Sequence, residues 1–271
     1  MKNKKVLILV ESAVLIAVAT VLSMIKIVDL PYGGSVTIAA MLPIIIISYR
    51  HGLSWGMGAG IVFAAIQQLT GLKTLSYVTT WQSILAVVML DYIVAYAVTG
   101  LGGIFRKSIK NQAAGLAAGS VFVCVLRYIC HVISGATVWA GISIPTAAAM
   151  GYSIIYNATY MLPEMLVTAI AAFYIGSLID FREQNLTRVV SGIHKAGAGI
   201  LSGIAGLLIA GGLIFDIAAV FSKLQDAESG EFAITQISAV NWPAVIGVSA
   251  GAAVLAAVLL AIANTMKKKI V

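Results

Sequence analysis

Apolar runs long enough to cross a lipid bilayer follow one another along almost the whole chain, and this restricts the fold more than any other feature. A helix needs about 20 mostly apolar residues to traverse the hydrocarbon core. The segments near 6–28, 36–49, 53–70, 81–104, 113–135, 150–179, 197–222 and 243–265 can all be read as spans, the second and third being short. The runs are rich in Ala, Leu, Ile and Gly and lack the alternation of outer-membrane strands. They predict an all-α membrane protein of about eight helices, not a barrel. Composition agrees: 61% of the 271 residues are hydrophobic and 10% charged, against about a quarter charged in soluble domains.

The formal charge of +7 is spread over short loops, where a nucleic-acid partner would require a basic patch on one folded face. With a cytoplasmic N-terminus, one side of the membrane receives Lys2, Lys4, Lys5, Arg50, Arg106, Lys107, Lys110, Arg182, Arg188, Lys195 and Lys267 to Lys269. The other side holds Lys26, Lys73 and Lys223, with Asp226, Glu228 and Glu231. The positive-inside rule therefore predicts a multi-pass protein of the cell membrane with both termini cytoplasmic. The basic N-terminus and the Ala17-Val18-Ala19 pattern resemble a signal peptide. However, the apolar run continues to Val28 and contains Glu11, which fits a retained first span.

Cys124 and Cys130 lie six apart on one predicted helix, on different faces and too far apart for a bridge. No metal-ligand spacing occurs, so neither a metal nor a cofactor is expected. Gly71-Leu72-Lys73-Thr74 lacks the glycine loop and strand of a phosphate-binding motif, so any ATP-driven transport would take its ATPase from another subunit. The polar stretch Asp180–Lys195 divides the chain into an N-terminal domain, residues 1–185, and a C-terminal transmembrane hairpin, residues 186–271. In the hairpin, Gly199, Gly203 and Gly206 permit close helix contact, and Asp216 is the one ionisable residue within its spans.

Charged side chains inside a span are costly and usually face the bundle interior. Asp91, Arg127, His131 and Glu164 are such residues. Residues 127 and 131 share a helical face, as do Asn157 and Glu164, seven apart. The alternating directions of the spans bring Asp91, His131, Tyr152 and Asn157 into the outer half of the membrane. Tyr77, Trp81, Tyr92, Trp139 and Tyr152 gather at the same depth, where an interfacial aromatic belt is the simpler alternative. A carboxylate, an imidazole, an amide and several rings together suit a planar, cationic, hydrogen-bonding ligand. Arg127 and Glu164 are expected to form a structural ion pair.

These residues resemble the thiamin-specific substrate-binding (S) components of energy-coupling factor (ECF) importers. The resemblance covers about residues 5 to 180. It rests on Pro31-Tyr32-Gly33-Gly34-Ser35, Met41-Leu42-Pro43-Ile44 running to Tyr49-Arg50-His51-Gly52, and Leu90-Asp91-Tyr92. Arg127-Tyr128 with His131 and Trp139, and Tyr152 with Asn157, complete it. It implies a six-helix S-component bundle, here followed by the two-helix hairpin. It also implies thiamin as ligand, no catalytic activity, and partners consisting of a membrane-embedded coupling subunit and two ATPase subunits. Asp91, Tyr92, His131, Trp139, Tyr152 and Asn157 would line the pocket, with Tyr77 first and Trp81 second for the family's further aromatic. Ala13 and Ala17 would form the small-residue surface that meets the coupling subunit. The sequence departs from the family in having Gly34 where relatives can place Trp, and in its C-terminal hairpin.

Two other function classes remain at this level. A self-sufficient secondary transporter would use Asp91, Arg127 and Glu164 as an ion pathway, but no inverted repeat is evident. An intramembrane enzyme would require a nucleophile paired with His131, and none is identifiable.

Overall fold

The computed structural model describes residues 4–30, 33–78, 80–138, 146–183, 185–188, 196–224 and 234–268. The chain divides into two compact units, Met1–Val189 and Val190–Val271. Among the described residues, six helices are long and apolar enough to cross a membrane, four in the first unit and two in the second.

The first unit begins with α1 (Lys4–Met24), which leads into a two-stranded antiparallel hairpin, β1 (Lys26–Asp29) and β2 (Ser35–Thr37). Two short helices follow, α2 (Leu42–His51) and α3 (Leu53–Thr70), separated at Gly52, whose φ of +99° ends α2. The segment expected to span over 36–49 thus starts as a strand and turn, and its helix has 10 residues. At about 1.5 Å per residue that helix is too short to cross a bilayer. It has no need to, because every residue from Leu42 to Tyr49 is buried inside the bundle. A 3-10 turn (Leu72–Tyr77) then leads to α4 (Trp81–Arg106), α5 (Gln112–Thr137) and α6 (Ala147–Leu178).

The rod α4 is irregular: it is π-helical over Val88–Val94 and 3-10 over Val98–Leu101. Such widened turns inside a helix are rare and often accompany functional positions, because the extra residue re-aims its neighbours. In α6, Pro163 stands inside the helix beside Glu164 and withholds one backbone donor from the ladder.

The packing is inverted relative to a soluble protein. Exposed large residues are apolar, as with Val10, Val14, Val18 and Val21 along α1, whereas Ser12, Ser48, Ser83, Ser120, Ser134, Asn157, Arg127 and Glu164 are buried. This is the arrangement that lipid imposes, since every polar group must find its partner within the protein. One apolar cluster joins Ala19, Ile44, Ile47, Ala59 and Phe63 beneath α1. A second joins Val78, Val87 and Val138 at the start of α4.

The end of the unit at Arg50, Arg106 and Gly176 is cross-tied by side chains that hold backbone groups. Arg50 donates to Phe181 O and Glu183 O, each at 3.2 Å, and pairs with Glu11 of α1. Arg106 donates to Arg50 O at 2.9 Å. Arg182 donates to Tyr49 Oη and to Ile109 O. Gln112 donates to Gly176 O and Ile179 O and accepts from Phe181 N–H.

The second unit is a helical hairpin of α7 (Ala196–Leu224) and α8 (Trp242–Lys268). Gly212 meets Ala252 at their interface, where an added Cβ would lie 3.1 Å from the alanine's methyl. One turn along, Ser249 Oγ donates to Asp216 Oδ2.

Candidate functional site

At the end of the first unit opposite the arginine ties lies a cavity of about 480 Å³. The β1–β2 hairpin contributes Lys26, Gly34, Ser35 and Thr37 to it, and the helices contribute Gln67, Asp91, Tyr92, Tyr96, Arg127, His131, Tyr152, Tyr156, Asn157, Tyr160 and Glu164.

Asp91 stands in the π-helical stretch of α4 and is bound through both carboxylate oxygens. Oδ1 lies 2.8 Å from His131 Nδ1, and Oδ2 accepts from Ser134 Oγ at 2.6 Å. Both partners come from consecutive turns of α5. The imidazole is thereby oriented, and among the described residues its Nε2 has no hydrogen-bond partner. Asn157 of α6 is held just as firmly. Its Nδ2 donates to Ser153 O at 2.8 Å and to His131 O at 3.3 Å, while its Oδ1 accepts from Tyr160 Oη at 2.6 Å. Carboxylate, imidazole and amide thus belong to one hydrogen-bonded wall made by α4, α5 and α6.

Tyrosines four residues apart form a stripe on α6. Tyr152 stacks on Tyr156, with centroids 5.9 Å apart and planes at 8°, and Tyr156 meets Tyr160 edge-on at 6.0 Å. On the facing side, Tyr92 Oη reaches Gly71 O at 3.5 Å, and Gln67 Nε2 donates to Ser23 Oγ at 2.7 Å. The hairpin closes down on this stripe at Gly34, where a Cβ would fall 2.5 Å from the Tyr160 ring. A side chain such as Trp therefore has no room at position 34 while the hairpin is seated.

Of the residues expected from sequence, Asp91, Tyr92, His131, Tyr152 and Asn157 line this cavity. Trp139 lies outside the described residues, as do Pro31 and Tyr32. Tyr77 and Trp81 are outside the cavity wall: both are exposed, Trp81 to 71%. The 3-10 turn directs Thr74 toward the cavity instead, and Trp81 opens α4 on its outer surface. Tyr156, Tyr160, Ser134 and Ser153 were not anticipated, although Tyr152, Tyr156 and Tyr160 repeat at the spacing of one helical face.

The expected pair of Arg127 and Glu164 is not formed. Among the described residues, neither belongs to an ion pair within 4.0 Å. Glu164 is occupied by β2, accepting from Thr37 N–H at 2.6 Å and Thr37 Oγ at 2.7 Å. Arg127 lies 4.4 Å over the Tyr96 ring and directs Nη1 at Met41 Sδ. The sequence spacing put both charges at one depth, but a strand from the distant hairpin enters the bundle and takes the carboxylate.

Outside the cavity, at the cross-tied end, His51 Nε2 lies 3.1 Å from Glu11. Burial holds its pKa below the ordinary imidazole value despite the opposing pull of Glu11. Among the described residues, no group of three or more His, Cys, Asp or Glu side chains is arranged to hold a metal.

The sequence profile of the family described as Thiamine transporter protein matches residues 9–180. Thiamine transporter ThiT of Bacillus subtilis (strain 168) is 34% identical over 180 residues, covering 62% of this chain and 90% of that protein. A solved structure of ThiT from Listeria monocytogenes is 25% identical with a TM-score of 0.52, covering 64% of this chain and 95% of the other. The family profile ends at residue 180, before the α7–α8 hairpin.

Proposed function

The chain belongs to the thiamine transporter family, and on that premise we propose that it captures thiamin in the cavity beneath the β1–β2 hairpin and passes it to an ATP-driven ECF complex. It is a multi-pass membrane protein that serves thiamin uptake, and relatives are named as transporters. In this reading residues 1–185 form the substrate-binding domain, residues 186–271 are an extension of it, and the chain performs no catalysis of its own.

The observation that carries the ligand assignment is Asp91. It is a carboxylate fixed by His131 and Ser134 on the wall of a tyrosine-rich cavity. A planar cation with hydrogen-bonding edges matches this wall: the carboxylate supplies counter-charge, the rings supply stacking and cation attraction, and the Asn157 amide supplies orientation. Trp139, which lies outside the described residues, is proposed as a further ligand contact only from its resemblance to the family pattern.

The same geometry supports a reading of the orientation. Arg50, Arg106 and Arg182 lie at the end opposite the cavity. Putting that end in the cytoplasm satisfies the positive-inside rule and opens the cavity to the outside. Ala13 and Ala17 lie on the exposed face of α1, where small residues let another helix approach closely. They are the proposed contact with the membrane-embedded coupling subunit, which works with two ATPase subunits.

Mass spectrometry of small molecules retained by the purified chain tests the ligand, and thiamin is the expected species. Reconstitution tests the coupling: vesicles holding this chain alone should show no gradient-driven accumulation, whereas addition of the coupling and ATPase subunits with ATP should produce it. Accumulation by the chain alone would replace this reading with a self-sufficient secondary transporter.

A further inference from the structure

The two buried charges that do not pair with each other converge on one short piece of chain. Glu164 of α6 holds Thr37 through both its N–H and its hydroxyl, at 2.6 and 2.7 Å. The same hydroxyl accepts from Ala40 N–H at 3.3 Å, closing a turn. Within that turn Ala39 has a φ of +53°, a conformation that a residue with a Cβ adopts only when its surroundings hold it there. Arg127 of α5 directs its guanidinium at Met41 on the far side of the turn. Thr37, Ala40, Met41, Arg127 and Glu164 all border the cavity, and Thr37, Ala39, Ala40 and Met41 are buried.

This turn joins β2 to α2, so its position decides where the hairpin sits. Upstream, the hairpin covers the cavity and seats Gly34 on Tyr160. Downstream, α2 is buried from Leu42 to Tyr49 and its last turn carries Arg50 in the cross-ties. A carboxylate with no cationic partner within ion-pair distance is costly to bury, and its two short donors are what offset that cost.

From this geometry we infer that Glu164 is a positioning residue: with Arg127 it clamps the Thr37–Met41 turn, thereby holding the hairpin down on the cavity and setting how long the ligand stays bound. Glu164 acts through Thr37 and the cover, not through its own contact with the ligand. This inference rests on the reading of the cavity as the thiamin site.

The test measures thiamin association and dissociation on the purified full chain by stopped-flow fluorescence, alongside the melting temperature. Thr37→Val removes the hydroxyl at nearly constant shape, and Glu164→Gln removes the charge. Each is expected to raise the dissociation rate about tenfold, the scale of a charge-assisted hydrogen bond. Association should change less than about twofold, since interface changes act mainly on release. The double variant should release more slowly than the product of the two single effects predicts, because both substitutions act on the shared bond from Thr37 Oγ to Glu164. Thr37→Ser, which keeps the hydroxyl, should restore slow release. As a purely structural control, Ser120→Ala removes a buried bond to Leu116 O outside the cavity, and should lower the melting temperature without altering release.

Unchanged dissociation in folded Thr37→Val overturns the inference, and that variant decides alone if Glu164→Gln does not fold. Multiplicative effects in the double variant also overturn it. Asp91→Asn, run in parallel, separates this failure from failure of the site itself. If Asp91→Asn weakens binding while Thr37→Val leaves release untouched, only the clamp is wrong. If the wild-type chain binds no thiamin, the site and the clamp fall together.

Discussion

Asp91 and His131 divide the work of one hydrogen-bonded unit: the imidazole and Ser134 fix the carboxylate, and the carboxylate fixes the ring. Asp91→Asn keeps the shape and loses the charge, so thiamin affinity should fall by about 2 kcal/mol, near the worth of a hydrogen bond to a charged group. Calorimetric titration of the folded variant checks this, and undiminished affinity would remove Asp91 from the site. His51 provides a pH signature at the opposite end. Its folded pKa is lowered, chiefly by burial, so the unfolded chain takes up the proton first as pH falls. Stability is therefore complete above the ordinary imidazole value near pH 6.5 and declines as pH drops below it. Melting temperatures of the wild type and His51→Gln should diverge between about pH 7 and 5, with the wild type losing more. Sequence singled out Asp91, His131 and Asn157 because ionisable and amide groups are conspicuous inside apolar spans. It could not reveal that Glu164 binds Thr37, a residue 127 positions away, because nothing local encodes which distant strand enters the bundle.

At the scale of elements, the long apolar helices were legible because length and hydropathy suffice to recognise them. The short ones were not. The run from 36 to 49 is predominantly apolar, and only tertiary structure distinguishes a spanning segment from a strand and turn followed by a 10-residue helix buried from Leu42 to Tyr49. The π-helical widening of α4 was equally invisible, since Val88–Val94 reads as ordinary helix. α1 shows the opposite case, in which pattern and exposure agree: Ser12 and Ala19 face inward, while Ala13 and Ala17 face outward. A bulky side chain on the outward face should spare the cavity. Ala13→Trp is therefore expected to leave thiamin binding by the isolated chain intact while abolishing co-purification of the coupling subunit. Retained co-purification would exclude this face as the contact, and lost binding together with a lowered melting temperature would move Ala13 into internal packing.

At the scale of the molecule, the family match, the cavity and the cross-ties all fall within the unit Met1–Val189. A chain ending at Arg188 should consequently fold and bind thiamin with the affinity of the full chain, as expected of a unit with its own core. Isothermal titration compares the two, and a truncated chain that folds but binds poorly would assign the hairpin a part in ligand capture. The arginine ties carry a consequence that begins before folding is finished. Arg50, Arg106 and Arg182 each hold backbone carbonyls or a tyrosine hydroxyl in the finished protein. In the proposed orientation their positive charge would also help determine, during biosynthesis, which loops stay behind as the helices enter the bilayer. Biogenesis reads only the charge, whereas the folded state requires the planar fork of the guanidinium. Arg50→Lys thus separates the two: the nascent chain would still thread the membrane in the correct direction, and the knot it arrives at would be loose.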